Sequence, residues 1–264
     1  MMGEESPLSA EVLDRFRDLI QKESGIFIGE QKDYLLVSKL SRFLRLNGFT
    51  DPHALLNELA VGNRDLLEGM INAITTNHTF FFRESNHLKI LRRDIQVKGL
   101  NKPLIWVAAA STGEEVYSII IELLEAGIVN FLVVASDINR EVLLHMKQGV
   151  YHPQRVREVP PDLLFKYFDH TSDGNYRVKE FLKSYLIAKK LNLLDSFRFQ
   201  AKFDYIFCRN VLIYFDKPTQ QRVIDNLFDN LSDLGYLFIG HSETLMHLSD
   251  RAESVFTSVY NKKL

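Results

Sequence analysis

A few short stretches carry side chains that can do chemistry together. Residues 104–118 read L-I-W-V-A-A-A-S-T-G-E-E-V-Y-S. An apolar run of strand length gives way to Ser111-Thr112-Gly113, then to a helical pattern with Ile119, Ile120, Leu123 and Leu124. Ser111 and Thr112 have oxygens that suit a helix N-cap. Glu114 and Glu115 fall in the first turn, where carboxylates complement the helix dipole. A strand–turn–helix of this kind is the ligand-touching unit of open α/β folds. Neither G-x-G-x-x-G nor G-x-x-x-x-G-K-[ST] is present, so no phosphate loop is expected. Two carboxylates where a phosphate would be cradled argue against a pyrophosphate and for a cationic ligand.

Three further positions follow the same logic. Asp137 closes the apolar run F-L-V-V-A at 131–135. An acid at the end of the second strand either holds ribose hydroxyls or caps the next helix, which starts near Asn139. Arg209-Asn210 lies just past the buried run Phe203–Cys208, at the strand end where such sheets bind ligands. Arg83 follows Phe80, Phe81 and Phe82 in a stretch without clean periodicity; it reads as a cation placed in a cleft or as a surface ion pair. Cys208, the only cysteine, is expected to be a buried strand residue, and an internal disulfide is excluded. His78, His87, His241 and His247 form no metal-binding spacing, so no metal is expected. There is no G-x-S-x-G of a serine hydrolase. The residues after the fourth strand lack the Pro-Pro of a nucleic-acid amino-methyltransferase.

The elements that must position these groups divide the chain. Residues 1–84 read as a helical domain. Ser9 caps a helix with Val12, Leu13, Phe16, Leu19 and Ile20 on one stripe; a second helix spans Lys32–Leu46; Asp51-Pro52 and Asn63 open two more. Lys39, Arg42 and Arg45 on the second helix are either a solvated face or a docking face for an acidic partner. Residues 85–264 alternate strands and helices, after a linker helix over about 85–97. Prolines 153, 160 and 161 break the alternation. Residues 151–190 read as a small antiparallel insertion, with strand-like runs at Tyr176–Phe181 and Ser184–Leu191 around a turn at 172–175; it is a plain hairpin or a docking edge. The last strand is expected at Ser254–Tyr260. With 264 residues, 46% of them hydrophobic, a large core is available. The 32 basic and 34 acidic residues leave a net charge of −2, which argues against broad nucleic-acid binding. No apolar run reaches membrane-spanning length, and M-M-G-E-E-S-P is no signal peptide, so a cytoplasmic protein without membrane insertion is expected.

The ordered set T-T-N-H-T-F-F-F-R-E, W-V-A-A-A-S-T-G-E-E-V-Y-S, A-S-D-I-N, R-V-x-x-x-P, F-D-Y-I-F-C-R-N-V-L-I-Y-F-D and G-H-S-E-T-L resembles the CheR family of chemotaxis receptor glutamate methyltransferases. The match runs from the helical domain to the last strand. The resemblance implies a Rossmann-like α/β methyltransferase domain behind an all-helical N-terminal domain, with S-adenosylmethionine as methyl donor and S-adenosylhomocysteine as product. It implies that Asn77, Thr79 and Arg83 form a first ligand-contacting segment, that Glu115 meets the charged methionine end and that Asp137 meets the ribose. Asn192, Leu193, Arg209 and Asn210 would surround the adenine and the active-site floor. Arg83 and Tyr214 would serve catalysis. Chemoreceptor helices would meet Lys39, Arg42 and Arg45, and a receptor C-terminal peptide the β insertion. Val116 stands where the family commonly has proline, and His78 receives no role. A cofactor-dependent docking protein without catalysis, or a methyltransferase for another protein carboxylate, are the alternatives.

Overall fold

The computed structural model describes residues 8–75, 78–246 and 248–263. Their contacts form two units, one of residues up to Thr76 with Tyr214–Asp216, the other of Asn77–Ile213 with Lys217–Leu264. Asn77 itself lies outside the described residues.

The first unit contains α1 (Ala10–Ser24), α2 (Asp33–Leu46), α3 (Pro52–Ala60) and α4 (Arg64–Ile74). Three of them, α1, α3 and α4, start at a side-chain cap. Ser9 Oγ accepts the Val12 N–H at 3.4 Å, Asp51 accepts the His53 N–H at 2.9 Å with Pro52 in the first turn, and Asn63 accepts the Leu66 N–H at 3.3 Å. Lys32 falls in a short 3-10 turn ahead of α2, whose helix begins one residue later than expected. The buried stripes Val12, Leu13, Phe16 and Ile20 of α1 and Leu36, Leu40, Phe43 and Leu44 of α2 follow the helical period. Lys39 turns inward: its ammonium donates to the Ile74 and Thr75 carbonyls at 2.5 and 3.2 Å, which closes the C-terminal end of α4. Burial holds its pKa below the usual lysine value. The segment 214–216 joins this unit through an antiparallel bridge between Ile26 and Phe215, and the Phe27 N–H donates to the Tyr214 carbonyl at 2.8 Å.

The second unit begins with α5 (Asn86–Lys98) and continues through β1 (Leu104–Ala108), α6 (Glu114–Glu125), β2 (Leu132–Asp137) and α7 (Arg140–Gln148). Then come β3 (Val150–Tyr151), α8 (Pro161–Tyr167), β4 (Phe168–His170), β5 (Tyr176–Val178), β6 (Leu186–Lys190), β7 (Phe203–Cys208), α9 (Lys217–Asn230), β8 (Leu231–Ile239), β9 (Ala252–Phe256) and β10 (Val259–Lys262). The main 7-stranded sheet has the order β6-β2-β1-β7-β8-β10-β9. From β6 to β8 all pairings are parallel, with Val107 of β1 in register with Ala135 of β2 and Phe207 of β7. Central strands covered on both faces must be apolar throughout. Ile105, Trp106, Val107 and Ala108 are accordingly all buried. Trp106 packs on Phe197, Phe199 and Phe203 and gives its indole N–H to Ser136 Oγ at 2.9 Å.

Two expectations change. The run Ser184–Leu191 is not part of the insertion's sheet; β6 pairs in parallel with β2 and forms the edge of the main sheet. The insertion's sheet is the 3-stranded β3-β5-β4, with short pieces on either side of the 172–175 turn. The stretch expected as one last strand is a hairpin of β9 and β10, turning at Thr257-Ser258, where Ser258 has φ 58. A β-rich composition on both sides of a two-residue turn hides the turn, because neither Thr nor Ser marks it as Gly or Asn would. Among the described residues no helix is long and apolar enough to cross a membrane.

Candidate active site

Parallel strands put their carboxyl ends on one edge of the sheet, and the strand order reverses between β1 and β7. Ligands of open α/β sheets bind outside such a reversal. The backbone there is unusual. Ala109 and Ser111 after β1 have φ 87 and 50, Asn210 after β7 has φ 58, and Phe82 and Glu84 ahead of α5 have φ 58 and 52. Non-glycine residues in this region cost of order 1–3 kcal/mol each and persist only where surrounding contacts hold them.

The holding contacts centre on Arg209. Its side chain is only 2% exposed. Nη1 reaches Glu115 Oε1 at 2.5 Å, Nη2 and Nε reach Glu84 Oε2 at 2.9 and 3.2 Å, and Nη2 also donates to the Arg83 carbonyl at 2.7 Å. One guanidinium thus ties the start of α6, the end of β7 and the segment before α5. Burial alone would raise the Glu84 carboxyl, but the Arg209 charge and hydrogen bonds from His241 backbone and Arg209 hold it below the usual carboxylate range. Glu84 is shared between Arg209 and Arg83, so the two carboxylates are balanced by two guanidiniums, and the acid that meets only Arg209 is Glu115.

The segment 78–84 is non-periodic because tertiary contacts pin it at several points. Phe81 is fully buried, edge-on to Tyr151 and Phe168. The Phe82 N–H donates to Ser118 Oγ at 2.8 Å, and Arg155 Nη1 donates to the Thr79 carbonyl at 3.0 Å. Arg83 Nη1 donates to the His78 carbonyl at 3.0 Å, its guanidinium lies 5.6 Å from the Phe80 ring centre, and Nε is 3.9 Å from Glu84 Oε1. Its side chain keeps 26% exposure, so the cation is placed yet reachable.

The turn after β1 departs from the expected cap. Neither Ser111 nor Thr112 caps α6; the N-cap is Gly113, at φ 95, and Thr112 Oγ1 donates instead to Glu114 Oε2 at 2.6 Å. A Cβ on Gly113 would sit 2.3 Å from Met146 Cγ, so α7 decides the residue here. Asp137 does not cap α7 either. Asn139 does, while the Asp137 carboxylate accepts the Ser111 N–H at 2.8 Å and the Asn139 N–H at 2.9 Å. Burial pushes its carboxyl up against these bonds. Leu191 donates its N–H to the Asp137 carbonyl at 3.0 Å, which brings Asn192 and the buried Leu193 past the end of β6; Asn192 Oδ1 accepts the Leu194 N–H at 3.1 Å.

Sequence reading gave no role to Glu84 or Glu243, and set His87 and His241 aside as lacking a metal-binding spacing. Glu243 accepts the N–H groups of Asn210, Gly240 and Ile213 at 2.9, 2.6 and 3.3 Å, which binds the loop after β8 to the loop after β7. A Cβ on Gly240 would sit 2.3 Å from Asn210 Nδ2. His87 is fully buried and stands 4.9 Å from the His241 ring, and burial with the Arg209 charge pushes its imidazole down to about 4. The expectation of no metal spacing does not cover this convergence: Glu84, His87 and His241 are grouped so that they could hold an ion. Glu84 and His87 had a usable signal, their i,i+3 spacing, but His241 comes from a distant loop. Tyr214 belongs to the helical unit, where its carbonyl is the group engaged.

Two family models match the chain: one described as CheR methyltransferase, all-alpha domain, over residues 11–75, and one as CheR methyltransferase, SAM binding domain, over residues 77–261. The chemotaxis protein methyltransferase of Borreliella burgdorferi is 38% identical, over 97% of this chain and 95% of its own length. Chemotaxis protein methyltransferase 2 of Pseudomonas aeruginosa is 39% identical, over 98% and 95%. The chemotaxis protein methyltransferase of Escherichia coli K12 is 37% identical, over 95% and 90%. The residues present fit S-adenosylmethionine: the Glu115 carboxylate at the start of α6 suits an ammonium group, and the buried Ser111 Oγ, without a hydrogen-bond partner among the described residues, is next to the N–H held by Asp137.

Proposed function

The chain belongs to the CheR methyltransferase family, and on that premise we propose how its residues divide the work. The reaction is the methylation of chemoreceptors in chemotaxis with S-adenosylmethionine, forming methyl esters on glutamate side chains. When bound, the cofactor supplies a methyl group on a sulfonium centre. A glutamate acceptor is already ionised at neutral pH, so the protein need not supply a general base. What it supplies is position, which can lower a barrier by up to about 7–11 kcal/mol.

Glu115, fixed by Arg209, receives the cationic methionine end. Asp137 receives the ribose hydroxyls, with Ser111 beside it. Asn192, Leu193 and Asn210 border the adenine, and Thr79 borders the ligand from the segment ahead of α5; Asn77, outside the described residues, keeps only the contact that the resemblance implies. Arg209 acts through Glu115 and Glu84 as a positioning residue. Arg83 pairs with the acceptor carboxylate; a catalytic role for the Tyr214 hydroxyl rests on the family resemblance alone. Pairing with arginine also lowers the nucleophilicity of a carboxylate, so Arg83 helps only where orientation outweighs that loss. The observation that carries this reading is the buried Glu84–Arg209–Glu115 arrangement at the strand reversal, flanked by the partly exposed cation of Arg83.

Receptor helices dock on Arg42 and Arg45, both exposed on α2; Lys39 serves α4 instead. The open edge of β4 and the exposed Phe165 suit a receptor C-terminal peptide. The site of action is the cytoplasm. The test is transfer of labelled methyl to receptor cytoplasmic fragments as base-labile esters. Arg83→Ala should lose turnover far more than cofactor affinity; normal turnover in that variant would remove Arg83 from the chemistry.

A further inference from the structure

His87 and His241 take no part in the methyl-transfer reading, yet both converge on Glu84. His87 Nε2 faces the Thr257 carbonyl at 3.4 Å. A carbonyl only accepts, so in the neutral ring Nε2 carries the hydrogen and Nδ1 presents a lone pair. That Nδ1 is buried, has no hydrogen-bond partner among the described residues, and lies 3.7 Å from Glu84 Oε2. A lone pair on Nδ1 therefore faces a carboxylate oxygen that Arg209 already engages, and Nδ1 itself is left without a donor on a side closed to solvent. A buried polar atom is rarely left so, and a cation beside Nδ1 would satisfy it while sharing the Glu84 carboxylate. His241 Nε2 lies 3.9 Å from the same Glu84 oxygen, and the three ligand atoms are all within 4.8 Å of one another.

These distances can be set against a metal's demands. Zinc bound tetrahedrally at ~2.0–2.2 Å keeps its ligand atoms about 3.3–3.6 Å apart. The separations of 3.7 and 3.9 Å close by a few tenths of an ångström. The widest pair, within 4.8 Å, closes by at most roughly 1.5 Å, which the half-exposed His241 side chain supplies by rotation. A histidine that ligates a metal through one nitrogen almost always donates the other N–H to a carbonyl, carboxylate or water, as His87 does to Thr257. Two imidazoles with one carboxylate suit zinc, nickel or copper, whereas magnesium and calcium prefer all-oxygen ligands.

We infer that Glu84, His87 and His241 form a binding site for a divalent transition-metal ion of the zinc type, with a fourth position open to solvent beside His241. The site shares Glu84 Oε2 with Arg209. The guanidinium opposes a nearby metal charge, and Glu115, which stays on Arg209, offsets part of that opposition. The affinity is accordingly below that of a structural zinc site.

The experiment uses the full chain, freed of any tag and stripped with chelator, titrated with Co²⁺ and followed by visible d–d absorption. The expected result is one Co²⁺ per chain, displaced by Zn²⁺. His241→Ala alters an exposed side chain and should weaken Co²⁺ by at least about tenfold, since changes outside the ligand set already cost 10–100-fold. His241→Cys keeps a ligand and should restore binding with a thiolate-to-cobalt charge-transfer band. Equal Co²⁺ affinity in the wild type and His241→Ala would assign the metal to other histidines and overturn the site. So would a wild type that shows no d–d bands, or a His241→Cys protein that binds Co²⁺ without the charge-transfer band.

Discussion

Arg209→Met tests whether one guanidinium holds the site's strained backbone. The substitution leaves Glu84 and Glu115, with side chains 12% and 13% exposed, without their shared cation. It also removes the hydrogen bond to the Arg83 carbonyl, beside Glu84 at φ 52. Breaking a buried ion pair by deleting one partner costs 3–5 kcal/mol, and the residual exposure of both carboxylates argues for the lower end, about 3 kcal/mol. At 2–4 °C per kcal/mol for a unit of this size, the melting temperature should fall by roughly 6–12 °C. Urea unfolding followed by far-UV circular dichroism measures the loss, read on the transition of the α/β unit. Adding Glu84→Gln and Glu115→Gln removes the unpaired charges and should recover a large part of it, because neutral groups of similar volume carry no such penalty. If Arg209→Met unfolds within about 1 kcal/mol of the wild type, or if the two glutamine changes deepen the loss, the guanidinium is not the tie that holds this site.

Other substitutions separate neighbouring roles. Gly113→Ala places a Cβ 2.3 Å from Met146 Cγ at φ 95, and should cost at least about 1–3 kcal/mol from backbone strain alone, with weaker cofactor binding, measured by unfolding and by calorimetry. Glu243→Gln keeps one acceptor oxygen where a carboxylate receives three N–H groups from two loops, and should lower stability by about 1–3 kcal/mol in a chemical unfolding experiment. Lys39→Met should lower stability of the helical unit by about 1 kcal/mol and leave receptor binding unchanged, because its ammonium serves the end of α4. Arg42→Glu with Arg45→Glu should do the opposite: little loss of stability, weaker receptor binding and a flatter dependence on salt, measured by binding at several ionic strengths.

Much of the architecture was legible because it is written locally. Ser9, Asp51 and Asn63 cap helices where a side-chain oxygen precedes an apolar period, and that signal needs no partner from elsewhere. Buried parallel strands read as unbroken apolar runs, which is how 104–108 and 203–208 stood out, with Cys208 buried among them. Reading failed where a short element has no local mark. The hairpin between β9 and β10 turns on Thr257-Ser258, and β6 takes its place in the main sheet only because β2 offers a free edge. At the turn after β1 the expected caps were chemically sound, yet Met146 packs where any Cβ would go, so Gly113 takes the position.

The sequence by itself determined that an α/β unit follows a helical one, that acids open α6, and that an acid and an arginine end β2 and β7. Tertiary structure alone decided which charges meet. Parallel pairing gathers the strand ends on one edge, and there Arg209 selects Glu84 as well as Glu115, Glu243 joins two loops, and His241 reaches His87. A residue's type states what it can bind; the strand order sets the distance to its partner. Electrostatic and hydrogen-bond energies depend on that distance, so the chemistry of the site was settled only when the sheet closed in this order.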